Sequence, residues 1–199
     1  MPNRNVQQPE QEIFWVESLK IVGMSLFLAL GIRTFAAGAY FIPSGSMKPT
    51  LQINDRLIVS KLSYDFTNPQ RGDVVVFTPP DAVLKEEHED PSDPFIKRVI
   101  GLPGDKVEVK SGLVYINNCP LRENYIAAKP DYSYGPVTVP RASYLVLGDN
   151  RNNSYDGHYW GFVPRNRIIG KAIYRFWPLN RTGELNQRPI YLCYRPKHD

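Results

Sequence analysis

The chain has 199 residues, enough for one sizeable domain or a small pair of domains. Aromatic residues make up 12% of the chain, which also holds 18 prolines and 14 glycines, and this composition favours strands and turns over a helical bundle. The net charge is +4, but the basic residues are scattered, which argues against a nucleic-acid partner and favours weak attraction to anionic lipid.

The histidines show no metal-ligand pattern. His88, His158 and His198 lack a spacing such as H-E-x-x-H, so we expect neither a metal nor another cofactor. The two cysteines, Cys119 and Cys193, fit a disulfide or two free thiols equally well, and the sequence does not decide between these alternatives.

An apolar stretch dominates the N-terminal part of the chain. Residues 1–14 are polar and predict a disordered tail. From Ile21 to Ile42 the chain is apolar apart from Ser25, Arg33 and Thr34. A stretch of this length is about what a helix needs to cross a bilayer. Arg33 lies late in the segment, where its side chain could reach the membrane interface. We therefore predict one transmembrane anchor over residues 15–42.

A cleavable secretory signal is the alternative for the same stretch. Ala37-Gly38-Ala39 has the small-x-small pattern of a cleavage site, and the charge-free core from Ile21 to Ile32 is short. Acidic residues before the apolar stretch are unusual in a signal, so we favour a retained anchor; these residues are Glu10, Glu12 and Glu17. Charge counts on the two sides of the segment give almost no orientation.

After Leu51 the pattern changes to short β-branched runs between turn formers, which predict a mainly β, antiparallel domain over residues 43–199. Residues 106–143 begin with a hairpin that turns at Ser111-Gly112, and we expect them to form a smaller inserted β subdomain. Pro103-Gly104 fits a type II turn. We predict strands at 56–60, 73–77, 95–100, 106–110, 113–116, 144–147 and 167–177 and a solvated acidic loop at 78–94, and we find no helical periodicity beyond the anchor.

Two serines flank a glycine directly after the apolar stretch. Pro43 and Pro49 bracket the Ser44-Gly45-Ser46 turn and restrict the backbone around it. A serine is a poor nucleophile until a positioned base takes its proton, so a catalytic reading requires a base elsewhere in the chain. The alternative is an ordinary polar loop, because serine, glycine and proline are common in loops.

The predicted strand at 95–100 supplies a candidate base. Alternation along a strand places Lys97 on the same face as Phe95 and Val99, where loss of hydration lowers the pKa of the amine and allows it to act as a general base. Arg98 lies on the opposite face and needs a carboxylate partner, for which Asp149 is available. The alternative is that Lys97 extends into solvent from an edge strand.

Four segments occur in a recognisable order. They are Ser-Gly-Ser-Met-x-Pro-Thr-Leu at 44–51, Arg-Gly-Asp-Val at 71–74, Lys-Arg-x-x-Gly-x-Pro-Gly-Asp at 97–105, and Gly-Asp-Asn-Arg-x-x-Ser-x-Asp at 148–156. This series resembles the type I signal (leader) peptidases. The single anchor and the Asp-Gly-His-Tyr-Trp ending of the last segment look most like the cyanobacterial and thylakoid branch.

The resemblance implies a role for each matching residue. Ser46 matches the nucleophile and Lys97 matches the general base. The Ser44 hydroxyl and the Ser46 backbone N–H match the oxyanion hole, and Ser154 matches a serine that orients the lysine. Arg98 and Asp149 match a structural ion pair, and Asp156 matches the acid of the last segment. Gly157 and His158 depart from the serine and arginine that are common in the family, which puts the local pairing of Asp156 in doubt.

The resemblance also implies an activity and a location. The protein would be a single-pass membrane serine endopeptidase whose catalytic domain, residues 43–199, lies on the periplasmic or lumenal side. Its partners would be preproteins with signal peptides, membrane lipid and the protein translocation machinery.

Three alternatives compete with this interpretation. A triad of Ser46, His158 and an aspartate is disfavoured because Ser46 lacks a G-x-S-x-G elbow. An inactive membrane-tethered β domain that binds partners would be expected to have lost Ser46 or Lys97, and both are present. A self-cleaving repressor would need an N-terminal DNA-binding domain where this chain has its apolar stretch.

Overall fold

The computed structural model describes residues 9–31, 37–81, 83 and 93–193, and the chain forms two compact units, Met1–Ala37 and Gly38–Asp199. The predictions for residues 1–8, for Arg33 and for most of the acidic loop fall outside the described residues. The helices are α1 (Pro9–Gly31), α2 (Ser63–Phe66) and α3 (Gly157–Trp160). The strands are β1 (Ala37–Phe41), β2 (Arg56–Ser60), β3 (Val74–Phe77), β4 (Phe95–Gly101), β5 (Lys106–Lys110), β6 (Leu113–Ile116), β7 (Cys119–Arg122), β8 (Tyr134–Thr138), β9 (Ser143–Leu147), β10 (Val163–Pro164), β11 (Ile168–Trp177), β12 (Gly183–Glu184) and β13 (Ile190–Tyr191).

The first unit contains the 23-residue helix α1, which begins earlier than the predicted anchor. Pro9 suits the first helical position because its missing N–H would have no partner there. Residues 9–14 are therefore helical rather than part of a disordered tail. No helix in the described part of the chain is long and apolar enough to cross a membrane.

The carboxyl end of the predicted anchor is a strand and not a helix. β1 forms the edge of the larger sheet beside β2, and it contains the candidate cleavage site at residues 37–39. Directly after β1, the Ile42 N–H donates to the Asp55 carbonyl at 3.0 Å, and the Asn54 N–H donates to the Ile42 carbonyl at 2.9 Å. These bonds to the turn before β2 satisfy backbone groups that a helix would have paired internally.

The second unit contains two sheets. The larger has eight strands in the order β1-β2-β11-β3-β4-β9-β10 with β12 paired to β11, and the smaller has five in the order β13-β7-β6-β5-β8. The strand pairs of both sheets from β2 onward run antiparallel, which confirms the mainly β, antiparallel part of the predicted fold class. The smaller sheet draws four strands from residues 106–143, but β13 comes from the C-terminal tail, which the sequence left unassigned.

Alternation along β4 places Phe95 and Val99 on one face, as predicted, and the apolar side chains of the strand reach three cores. Ile96 packs against the cluster that contains Val74 and Val76, Ile100 belongs to the cluster between β9 and the smaller sheet, and Phe95 and Val99 join a third cluster. Arg98 and Lys97 are buried on this strand as well. β4 therefore lies at the centre of the unit, where a polar side chain is removed from water.

Cys119 and Cys193 form a disulfide with a Cα–Cα distance of 5.8 Å. The bond attaches the end of the described chain to β7, so it holds the C-terminal segment that supplies β13. A crosslink across a sequence separation of 74 residues stabilises the folded state by about 4 kcal/mol in the chain-entropy treatment.

The turns and short helices follow local chemistry. The Asp105 N–H donates to the Leu102 carbonyl at 2.9 Å and Gly104 has a φ of +84°, which confirms the predicted type II turn. The absence of helical periodicity beyond the anchor gave no sign of α2 and α3. Each is a single turn of four residues, too short to show a helical period in the sequence.

Candidate active site

The serine loop is held in place by its apolar residues. Met47 and Leu51 are fully buried in the core that also contains Val74 and Val76, and burial of side chains of this size contributes about 1.5–3 kcal/mol each. The Leu51 N–H donates to the Met47 carbonyl at 2.9 Å. The loop is therefore anchored beyond Ser46, while Ser44 and Ser46 remain accessible.

The structure brings Lys97 to Ser46. Lys97 Nζ donates to Ser46 Oγ at 2.9 Å, and Ser44 Oγ lies 3.3 Å from Ser46 Oγ. Lys97 is only 5% exposed, and β4 has a partner strand on each side. The alternative in which Lys97 extends into solvent from an edge strand is therefore wrong.

The surroundings of Lys97 favour the neutral amine. Burial lowers the pKa of Lys97 to about 8, although the negative charges of Asp156 and Asp149 act in the opposite direction. The amine also lies 5.5 Å from the centre of the Phe95 ring. At neutral pH a useful fraction of Lys97 can therefore accept a proton, as few lysines can.

Arg98 and Asp149 form the predicted ion pair. The Arg98 guanidinium donates to the two Asp149 oxygens at 2.8 and 2.6 Å, and both side chains are almost wholly buried. Thr50 donates to the same carboxylate at 2.6 Å, and Arg98 also donates to the carbonyl of Gln187 at 2.7 Å. These additional bonds offset the cost of burying two charges. The pair connects the serine loop, β4 and the loop after β9.

Asn150 also holds the serine loop in place, although the sequence did not identify it as a site residue. Its side-chain amide donates to the Gly45 carbonyl at 3.1 Å, and its backbone N–H donates to the Ser46 carbonyl at 3.0 Å. The one sequence feature that could have identified Asn150 is its position within the 148–156 motif. Asn150 thus fixes the peptide groups on both sides of Ser46.

Gly148 permits the close contact between these two loops. A Cβ at this position would lie 2.5 Å from the Ser46 carbonyl oxygen and 2.2 Å from Ser154 Oγ. Both distances are shorter than non-bonded atoms tolerate, so any side chain here would force the loops apart.

Ser154 does not make the contact that the resemblance implied. Its hydroxyl is buried, but it has no hydrogen-bond partner among the described residues, and thus no bond to Lys97. Ser154 Oγ nevertheless lies close to the Ser46 carbonyl oxygen, since a Cβ added at Gly148 would touch both atoms.

Asp156 pairs with His158. The carboxylate accepts from the Gly148 N–H at 2.8 Å through one oxygen, and its other oxygen lies 2.8 Å from His158 Nδ1. The structure gives no hydrogen bond from His158 to Ser46 in the described part of the chain, so the triad has no geometric support. Gly157 packs against β9, where a Cβ would lie 2.8 Å from the Val146 carbonyl oxygen, which explains the glycine.

A second buried ion pair supports the last segment. Arg151 donates to both Glu123 oxygens at 2.7 Å, and both side chains are buried. The sequence offered no signal for this pair, because Glu123 lies in a loop-rich stretch without a recognisable pattern.

Within the described ranges no group of three or more His, Cys, Asp or Glu residues could hold a metal ion.

A buried lysine amine bonded to a loop serine on an antiparallel β framework is the arrangement of a serine–lysine peptidase. The family described as signal peptidase, peptidase S26, matches residues 15–177. The chain belongs to this family.

The relatives agree with the branch that the sequence resembles. The chain is 58% identical over 184 residues to a signal peptidase I of Leptolyngbya laminosa, with 92% of this chain and 90% of that protein covered. It is 59% identical over 171 residues to a probable signal peptidase I-2 of Synechocystis sp., covering 86% and 77%. A probable chloroplastic thylakoidal processing peptidase 2 of Arabidopsis thaliana is 38% identical, covering 85% and 46%. The predicted resemblance is confirmed.

Replacing Gly148 tests the contact between the two loops. We expect Gly148→Ala to destabilise the domain by about 1–3 kcal/mol, the usual cost of overpacking, because the new Cβ meets the Ser46 carbonyl. Thermal unfolding measures the loss, and hydrogen exchange should show faster exchange in the serine loop. Gly183→Ala is the matched control, since nothing lies within 4 Å of a Cβ there. Equal unfolding midpoints for the two variants would contradict the interpretation.

Proposed function

We propose that the protein is a membrane-anchored serine endopeptidase that removes N-terminal signal peptides from exported preproteins after small-x-small sites. The observation that carries the proposal is the 2.9 Å hydrogen bond between Lys97 Nζ and Ser46 Oγ, with the lysine buried. The relatives named signal peptidase I, matched over most of the chain, support the substrate class.

Acylation begins with a proton transfer. The neutral Lys97 amine accepts the Ser46 hydroxyl proton as Ser46 Oγ attacks the carbonyl carbon before the scissile bond. At 2.9 Å the two atoms are within hydrogen-bond reach, so the Ser46 hydroxyl can donate to Nζ once the amine is neutral. Burial supports the step because it disfavours the charged form of Lys97 before substrate binds.

The developing oxyanion needs donors that are already in place. We assign this role to the Ser46 backbone N–H and the Ser44 hydroxyl, which lies 3.3 Å from Ser46 Oγ. Asn150 and Gly148 support the geometry, because they hold the Ser46 backbone against the loop after β9.

Collapse of the tetrahedral intermediate releases the new N-terminus of the mature protein. The Lys97 ammonium gives its proton to the leaving amine, and the neutral amine then accepts a proton from the water that hydrolyses the acyl-enzyme. Ser154 is our candidate for orienting the amine during these steps, since its hydroxyl is buried near Ser46 and has no partner among the described residues.

Helix α1 is the proposed attachment to the membrane. Large apolar side chains are exposed along it, among them Trp15, Leu19, Met24 and Phe27, and exposed apolar surface of this extent marks an interaction site. We propose a single-pass anchor with the catalytic domain on the periplasmic or lumenal side, where lipid and the translocation machinery are neighbours. The disulfide between Cys119 and Cys193 fits an oxidising compartment of this kind.

The nucleophile is tested by removing one hydroxyl. Ser46→Ala should abolish cleavage of a preprotein with an Ala-x-Ala site and leave the domain folded, because buried Met47 and Leu51 still anchor the loop although Lys97 loses a hydrogen bond. Ser133→Ala, on an exposed loop, is the matched control and should cleave as the wild type does. Retention of a tenth of the wild-type turnover in Ser46→Ala would rule Ser46 out.

The base is tested by the pH dependence of cleavage. Because the neutral amine is the active form, kcat/KM should rise about tenfold per pH unit below the Lys97 pKa of about 8 and level off above it. Lys97→Arg should be inactive, since a guanidinium keeps its proton throughout this range. A flat profile between about pH 6 and 9, or an active Lys97→Arg variant, would assign the base elsewhere.

The attachment is tested in sealed vesicles of known orientation. The full chain should resist carbonate extraction, and added protease should reach residues 43–199 only from the periplasmic or lumenal side. A variant beginning at residue 38, which keeps the whole second unit, is the control and should be released by carbonate. Protease access from the cytoplasmic side would contradict a role in preprotein processing.

A further inference from the structure

Tyr125 is a buried aromatic residue in the active-site region, and the proposed mechanism gives it no role. Only 2% of the residue is exposed. Its ring lies against the Arg98 guanidinium, whose central carbon is 4.0 Å from the ring centre. A cation over the face of an aromatic ring is attracted by the ring quadrupole, and the attraction is stronger where water is excluded. Tyr125 therefore holds the arginine that follows the general base, Lys97, on β4.

The hydroxyl of Tyr125 is held by a second buried group. It donates to one Glu123 oxygen at 2.6 Å. Burial and, after it, the charge of Glu123 raise the pKa of Tyr125, so the hydroxyl keeps the proton that it donates. Glu123 is itself fixed, because Arg151 donates to both of its oxygens at 2.7 Å. The position of the ring is therefore set by the Arg151–Glu123 ion pair.

These contacts meet again at the loop after β9. Arg151 Nε donates to the Gly148 carbonyl at 3.1 Å. The Arg98 guanidinium donates to both oxygens of the next residue, Asp149, at 2.8 and 2.6 Å. Gly148 in turn lies against the Ser46 carbonyl. The tyrosine thus connects the two buried ion pairs that hold this loop beside the nucleophile.

The backbone after Tyr125 also contacts both loops of the site. Ile126 forms an isolated antiparallel bridge with Pro49, near the end of the serine loop. The Ala127 N–H donates to the Asp149 carbonyl at 3.0 Å. The segment that carries the tyrosine is therefore attached to the serine loop and to the loop after β9, so a displaced ring would disturb both.

We propose that Tyr125 is a positioning residue for the cleavage reaction. Its ring keeps the Arg98 guanidinium in the plane that binds both Asp149 oxygens, and this pairing keeps the loop after β9 against Ser46. Without the ring, the serine loop can shift relative to Lys97, and a small displacement of the reacting groups lowers the rate strongly. This inference rests on the proposed function, because it assigns Tyr125 to the same reaction.

Three replacements at position 125 separate the ring from its hydroxyl and from its volume. Tyr125→Phe keeps the ring and loses only the bond to Glu123, whereas Tyr125→Leu removes the ring. Pentafluorophenylalanine at this position keeps a ring of nearly the same size but reverses its quadrupole, so its face no longer attracts a cation. Tyr115→Leu is the matched control, since Lys110 Nζ lies 4.9 Å from the centre of that ring in the smaller sheet.

The first measurement is kcat and KM for cleavage of an Ala-x-Ala preprotein by the full-length protein in detergent, at a temperature where thermal unfolding shows the variants folded. Tyr125→Leu and the pentafluoro variant should lower kcat about threefold to tenfold and leave KM within about twofold, because the dyad is displaced while substrate contacts remain. Tyr125→Phe should keep at least about half of the wild-type kcat, since its ring still attracts Arg98. Tyr115→Leu should match the wild type.

The second measurement is hydrogen exchange, which does not depend on activity. The N–H groups of Lys48 and Leu51 are bonded to carbonyls within the serine loop. Both should exchange faster in Tyr125→Leu than in the wild type, because the loop opens more often when its support is weakened. The amides of β5 and β6, in the smaller sheet, should exchange as in the wild type.

Three results would overturn the inference. A folded Tyr125→Leu variant with wild-type kcat and wild-type exchange in the serine loop would show that the ring positions nothing. An effect confined to KM would make Tyr125 a substrate contact, and a pentafluoro variant as active as Tyr125→Phe would show that attraction between the ring and Arg98 is not used. If Tyr125→Leu fails to fold, the pentafluoro variant decides the question, since it preserves the volume of the ring.

Failure of the proposed function gives a different result. A wild type that cleaves no better than Ser46→Ala would refute the peptidase activity. Hydrogen exchange in the serine loop of Tyr125→Leu would then still support or overturn the positioning role.

Discussion

The hydrogen bond from Lys97 to Ser46 places two opposite demands on the rest of the domain. The lysine amine must be sufficiently removed from solvent to lose its proton near neutral pH, and it must still reach a serine that substrate can approach. A central strand meets the first demand, because neighbouring strands and apolar side chains surround Lys97. An anchored loop meets the second, because Met47 is buried while Ser46 stays accessible.

The loop after β9 joins these two elements. Its glycine allows contact with the serine loop, Asn150 holds the backbone of that loop, and Asp149 binds Arg98 from the strand that carries Lys97. Buried charges are costly unless paired, and here the pairing also fixes the relative position of the serine loop and β4. The same loop continues to Asp156, whose charge opposes the effect of burial on Lys97. Position and proton affinity are therefore controlled from one segment.

Much of the β domain could be predicted, because strands and tight turns follow from nearby residues. The Pro103-Gly104 turn and the alternation along β4 were of this kind. The errors occurred where a long-range contact decided the structure. β1 pairs with β2 although its sequence continues the apolar stretch, and β13 joins the smaller sheet from a tail with no strand pattern. The family motifs alone identify Ser46 and Lys97 as candidate nucleophile and base, without any distance between them.

The sequence by itself determined which residues are the candidate nucleophile and base, through the motifs, and which apolar neighbours Lys97 has, through the two-residue period of a strand. Only the tertiary structure decided which groups meet. Ser46 and Lys97 are 51 residues apart, and Arg98 and Asp149 have the same separation. The disulfide, the Glu123–Arg151 pair and the contacts of Asn150 and His158 likewise depend on loops that no local pattern specifies. Such contacts form because packing of the cores brings distant segments together, and this packing is a property of the whole chain.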